Sequence, residues 1–139
     1  MQKLNAISNE MAVNEAIEFI NKYSDEPVKQ DEVKEAYKSI IRAFQEGRLI
    51  VDEKGKPSYI LLEPIQSESG EMIVERIEFR TRVKPLALAG IARGVDVQKD
   101  AFMLGLKIMA YIIDQPLSFI DKFSKQDYNT ISSISGLFS

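Results

Sequence analysis

The sequence predicts an α+β domain: a small antiparallel β-meander over about residues 49–80, flanked by two N-terminal helices and a C-terminal helical cluster. Three observations carry this. Before residue 48 the apolar residues recur at helical spacing. Between Leu49 and Arg80 they fall in short strand-like runs separated by polar, glycine-containing turns. After Pro85 they return to short helical segments that end at Phe138.

The first helix spans about residues 10–23, with Val13, Ala16, Ile17 and Ile20 on one stripe and Ser8 or Asn9 placed to cap it. Ser24-Asp-Glu-Pro27 breaks the pattern. A second helix over about 29–47 puts Val33, Tyr37, Ile40, Ile41 and Phe44 on one face. Its acids (Asp31, Glu32, Glu35) precede its bases (Lys38, Arg42), which suits the helix dipole, and Gly47 stops it. Leu49–Val51, the turn Asp52–Pro57 and Tyr59–Leu62 form a hairpin in which Gly55 supplies a positive φ. A second turn, Gln66–Gly70, leads to Met72–Arg80. There Val74, Arg76, Glu78 and Arg80 alternate with Glu75, Ile77 and Phe79, the mark of a strand with one face on a core.

Pro85 stands where a helix can begin, since proline is tolerated in the first turn. The apolar segment Leu86–Ala92 follows and ends at Gly94. Residues 98–113 are apolar on nearly every side, interrupted by Lys107, and are expected to form the central buried helix, with Phe102, Met103 and Tyr111 in the core. Gln115-Pro116 separates it from Leu117–Ile120. Ser124 and Asp127 fit a capping box in which Asp127 is the reciprocal acceptor, and Tyr128, Ile131, Ile134 and Phe138 follow at helical spacing.

Composition narrows the function classes. A chain of 139 residues suits one domain and buries roughly 68% of its extended-chain surface, enough for a core without metal or disulfide staples. Residues 1–57 form an N-terminal helical extension with the first strand and 58–139 a hairpin plus helices, together one compact unit. There are no cysteines and no histidines, which removes thiolate chemistry, Ser-His-Asp arrangements and histidine-bearing zinc sites. No cofactor, metal or catalytic residue is expected. The N-terminus lacks the apolar core of a signal peptide, and the apolar run Ala101–Ile113 is far short of the ~20 residues a membrane span needs, so the expected location is the cytoplasm. With 18 basic and 21 acidic residues the chain lacks the basic surplus of a duplex-binding domain.

The charged clusters have plain explanations. Asp31, Glu32 and Glu35 lie opposite an apolar helix face. Asp52-Glu53 has no second acid at EF-hand spacing, and Gly55-Lys56 lacks the rest of a phosphate-binding loop. Arg76, Arg80, Arg82, Lys84 and Arg93 form a basic cluster, but Glu71, Glu75 and Glu78 are threaded through it and cancel much of its field. Leu137 and Phe138 at the chain end either dock on the core or face a partner.

The stretch from about Tyr59 to Phe138 resembles the tail assembly chaperones of contractile-tailed phages and related prophages. The matching residues are Leu62-Glu-Pro64, Ser69-Gly-Glu71, Ile77-Glu-Phe-Arg80 and Val83-Lys-Pro85. They continue through Leu104, Ile108-Met-Ala-Tyr111, Gln115-Pro116, Ile120–Ser124, Asp127-Tyr128, Ile131 and Phe138, in that order. The first 57 residues lie outside the pattern, and Leu86–Gly94 is more apolar than the polar helix start typical of it. The resemblance implies a small non-enzymatic protein of the bacterial host cytoplasm that binds the tape-measure protein and keeps it soluble until tail-tube protein assembles around it. The expected partner contact is Phe79, Arg80, Pro85, Tyr128, Leu137 and Phe138, with no nucleic acid or membrane involved and self-association left open. The rival readings are a winged-helix-type DNA-binding regulator, with helix 29–47 as recognition helix and hairpin 49–62 as wing, and a structural tail or baseplate component.

Overall fold

The computed structural model describes residues 7–24, 26–66, 70–96 and 98–139. Residues 67–69 of the expected second turn, Asp25 of the first helix break and residues 1–6 lie outside the described residues.

Helix α1 (Asn9–Tyr23) starts at Ser8, whose hydroxyl accepts from the Met11 N–H at 3.2 Å, and buries Ala12, Val13, Ala16, Phe19 and Ile20. The expected helix 29–47 is two helices, α2 (Gln30–Ala36) and α3 (Lys38–Gln45), broken at Tyr37 (φ −124°, ψ 39°). The apolar stripe nevertheless stays on one side. Val33 is the buried residue of α2, while Ile40, Ile41, Ala43 and Phe44 are buried by α3. Both α2 and α3 pack on α1, α3 more extensively.

Gly47 (φ 72°) turns the chain into a three-stranded antiparallel sheet of order β1-β2-β3, with β1 at Leu49–Val51, β2 at Pro57–Gln66 and β3 at Ile73–Glu78. Gly55 (φ 81°) makes the first turn, and its carbonyl accepts the Tyr23 hydroxyl at 2.8 Å, tying the hairpin to α1. Leu49 pairs with Tyr59, and Tyr59 with Ile77, so the three share the buried face. The β2–β3 ladder then slips. Residues 61–64 of β2 stand opposite Glu75 alone, between the pairs Ile60–Arg76 and Ile65–Val74. Pro64 falls in this bulge, as expected of a residue with no N–H for a ladder.

The C-terminal half adds α4 (Pro85–Ala92), α5 (Ala101–Ile113), the single turn α6 (Leu117–Ile120) and α7 (Lys125–Gly136). One hydrophobic cluster joins Phe19 and Phe44 to Tyr59, Ile77, Ile112 and Ile131. The core therefore crosses the 1–57/58–139 division, as does the β1–β2 hairpin. Phe138 closes it, packing on the rings of Tyr23 (4.6 Å between centroids), Phe19 (6.3 Å) and Phe79 (6.3 Å).

Candidate partner-binding surface

Helix α5 is not buried along its length, contrary to the sequence expectation. Its last turn and a half supplies Met109, Ala110, Ile112 and Ile113 to the core, Leu106 and Ile108 pack against it half-buried, and the first turn, Ala101–Met103, is exposed. The deep end is fixed firmly. Asp114 adopts the left-handed conformation (φ 54°, ψ 46°), and the N–H groups of Asp114 and Gln115 return to the carbonyls of Tyr111 (3.2 Å) and Ala110 (3.1 Å). Arg80 completes the anchor. Its backbone N–H donates to the Ile112 carbonyl at 2.7 Å, its Nε to the Tyr111 carbonyl at 2.8 Å, and its Nη2 to Asp114 Oδ1 at 2.8 Å, with the guanidinium 4.8 Å from the Tyr111 ring centre. Strand β3 and α5 are thus joined at one point, and the other end of α5 stands free of the core.

That free end is apolar. Phe102 is 73% exposed and Met103 42%, and α4, with sequence Pro-Leu-Ala-Leu-Ala-Gly-Ile-Ala, buries no residue and leaves Leu86 87% exposed. Burying a side chain of this size is worth about 1.5–3 kcal/mol, so each such exposure forgoes a gain the core would have supplied. Scattered exposed apolar residues are ordinary, but a contiguous set marks a contact surface. The exposed residues of α5 belong to such a set. The first half of α5 faces α6 and the start of α7 across a groove of about 530 Å³, lined by Phe102, Met103, Leu106, Leu117, Phe123 and Tyr128. Asp121 and Lys125 stand at its edge.

The six sequence-predicted contact residues divide. Tyr128 lines the groove and is half-buried. Pro85 opens α4 and is exposed. Arg80 holds the end of α5, on the side away from the groove. Leu137 is half-buried against the core, and Phe79 (1% exposed) and Phe138 (8%) are interior. The last two are out of a partner's reach in the folded chain, because the aromatic cluster of α1 draws the chain end inward.

Sequence reasoning missed Phe102, Met103 and Leu86 as surface and Asp127 as a structural hub. Ser124 does cap α7, accepting the Asp127 N–H at 3.2 Å, but the Asp127 side chain does not return to the cap. It is fully buried and accepts from the Tyr59 hydroxyl (2.7 Å) and the backbone N–H groups of Leu62 (3.0 Å) and Glu63 (3.1 Å). Those two N–H groups belong to the bulge, so one carboxylate satisfies donors the ladder leaves unpaired. Burial first, then the hydrogen bond and charge of Asp127, push the Tyr59 phenol well above its ordinary pKa.

Among the described residues no group of three or more Asp and Glu side chains is placed to hold a metal ion, and no helix is long and apolar enough to cross a membrane. No family model, curated protein or solved structure matches the chain.

Proposed function

We propose that this chain is a non-catalytic protein-binding factor of the tail assembly chaperone kind, which in the bacterial cytoplasm binds a tape-measure protein and keeps it soluble during tail assembly. The observation that carries the reading is the exposed apolar surface of α4 and of the start of α5, the latter continued by the groove against α6 and α7. A long helical partner with apolar stripes needs such a surface on a well-solvated carrier, and helix-in-groove contact requires no catalytic group. The excess of 21 acidic over 18 basic residues keeps the carrier itself in solution. The DNA-binding reading finds less support. Helix α3 would read the duplex, yet Ile40, Ile41, Ala43 and Phe44 face inward, and its exposed Arg42 is bound to Glu46 at 3.1 Å.

The test is co-expression with a phage tape-measure protein, measuring the soluble, co-purifying fraction of that partner. The chain rescues an otherwise insoluble partner, and the combined change Leu86→Ser, Phe102→Ser, Met103→Ser abolishes the rescue while the variant stays folded. A partner left insoluble by the unchanged chain overturns the function; rescue by the triple variant overturns the surface.

A further inference from the structure

The basic cluster looks self-cancelling in the sequence, but the strand sorts it. A period of two puts Arg76, Glu78 and Arg80 on one side of β3 and its continuation, and Glu75 on the other. Glu75 borders a separate hollow beside Arg48, Ser124 and Lys125. On the first side a cleft of about 580 Å³ opens between the end of β3 and the end of α5, lined by Lys56, Arg76, Glu78, Arg80, Arg82 and Asp114. Both acids are engaged: Glu78 lies 3.3 Å from Lys56 Nζ, and Asp114 2.8 Å from Arg80 Nη2. The Arg80 side chain also covers the carbonyl end of α5, whose dipole otherwise opposes an anion. Arg76 and Arg82 are left over, both exposed and neither in an ion pair among the described residues. Four cations against two carboxylates give the cleft a charge of +2 in a chain whose net charge is −3.

We infer that this cleft binds a phosphate-bearing small molecule, with Arg76 and Arg82 taking the phosphate. A guanidinium presents its donors as a planar fork that meets phosphate oxygens in pairs, and two of them balance the charge of a dianion. The volume lies within the range of small-molecule sites and exceeds what a bare phosphate fills. Thr81 and Gln115 add polar groups to the lining, which suit an organic body attached to the phosphate; Phe79 and Ile113, both interior, lie beneath its floor. The site is separate from the apolar groove and does not depend on what that groove binds.

The experiment is a titration of the ¹⁵N-labelled chain with phenyl phosphate at constant ionic strength, followed by NMR, alongside inorganic phosphate, benzoate and chloride. Phenyl phosphate produces saturable shifts at the Thr81, Arg82 and Gln115 amides and at the Arg76 and Arg82 Nε–H groups. Inorganic phosphate shifts the same signals with weaker affinity, and chloride leaves them in place. Arg76→Gln with Arg82→Gln weakens phenyl phosphate binding by about tenfold or more. Both side chains are exposed, so the unfolding midpoint stays put and confirms that the variant is folded. Benzoate binding as tightly as phenyl phosphate overturns the phosphate assignment. Unchanged affinity in the double variant, or non-saturating shifts spread over the whole basic surface, overturns the site.

Discussion

Replacing Asp127 by Ala tests whether one carboxylate holds α7 to the bulge of β2. The change strands three donors. The Tyr59 hydroxyl, whose residue is 2% exposed, loses a charged acceptor at 2.7 Å with little access to replacement water. That loss costs about 2–3 kcal/mol. The Leu62 and Glu63 N–H groups sit nearer the surface, where water takes over part of the role, and add about 1 kcal/mol each. Relief of a buried charge offsets a fraction, leaving a net loss of about 3–4 kcal/mol. For a chain of this length that lowers the melting temperature by about 15 °C. The assay is urea unfolding followed by circular dichroism for the wild type, Asp127→Ala, Tyr59→Phe and the double variant, with m compared throughout. Tyr59→Phe alone costs about 1 kcal/mol, and the cycle shows a coupling of about 1–2 kcal/mol. An Asp127→Ala loss under about 1 kcal/mol, or additive single changes, would refute the hub.

Three further outcomes follow from the same geometry. The fold favours the neutral Tyr59 phenol, so its contribution is intact below the ordinary tyrosine value of 10.0 and is lost as pH rises beyond it, at up to about 1.4 kcal/mol per pH unit. The stability advantage of the wild type over Tyr59→Phe therefore shrinks above pH 10, which urea midpoints across that range measure. Phe138→Ala removes a ring from the aromatic cluster and costs about 3–4 kcal/mol, whereas Phe102→Ser stays within about 0.5 kcal/mol; equal effects would contradict the division between core and surface. Arg80→Gln costs about 1 kcal/mol, since its ion pair is partly exposed and screened, and hydrogen exchange reports it as faster opening at the Asp114 and Gln115 amides.

Patterns that depend on local geometry were legible in the sequence. The stripe of α1, the Gly55 turn and the inward pairing of Ile77 with Phe79 all follow from periodicity or turn chemistry, and each stands in the structure. What escaped depends on partners distant in the chain. A continuous stripe from Val33 to Phe44 does not reveal a break at Tyr37, because the stripe survives the break. Ser124 and Asp127 mark a helix start correctly, but the spacing says nothing of Tyr59, which lies 68 residues away. Pro64 within a strand-like run was the available sign of a bulge and of N–H groups in search of an acceptor. The alternation of Arg76 and Glu75 likewise held the information that separates their fields.

The largest discrepancy, the exposed start of α5, has the most direct bearing on function. Hydropathy records that a side chain prefers not to face water; it does not record what covers it. Residues 101–113 are apolar on nearly every side, and burial within the same chain is one of two arrangements that satisfy such a segment, the other being a partner. The structure divides the helix between them. Met109, Ala110, Ile112 and Ile113 are buried in the core, while Phe102 and Met103 remain in solvent and α4 buries no residue. Changes there leave the folded state intact, so this surface can be altered without unfolding the chain. Leu137 and Phe138 lack that separation: their replacement weakens the core, and a lost partner would then report unfolding as readily as a lost contact. The exposed residues of α4 and α5 are therefore the ones whose substitution isolates binding from stability.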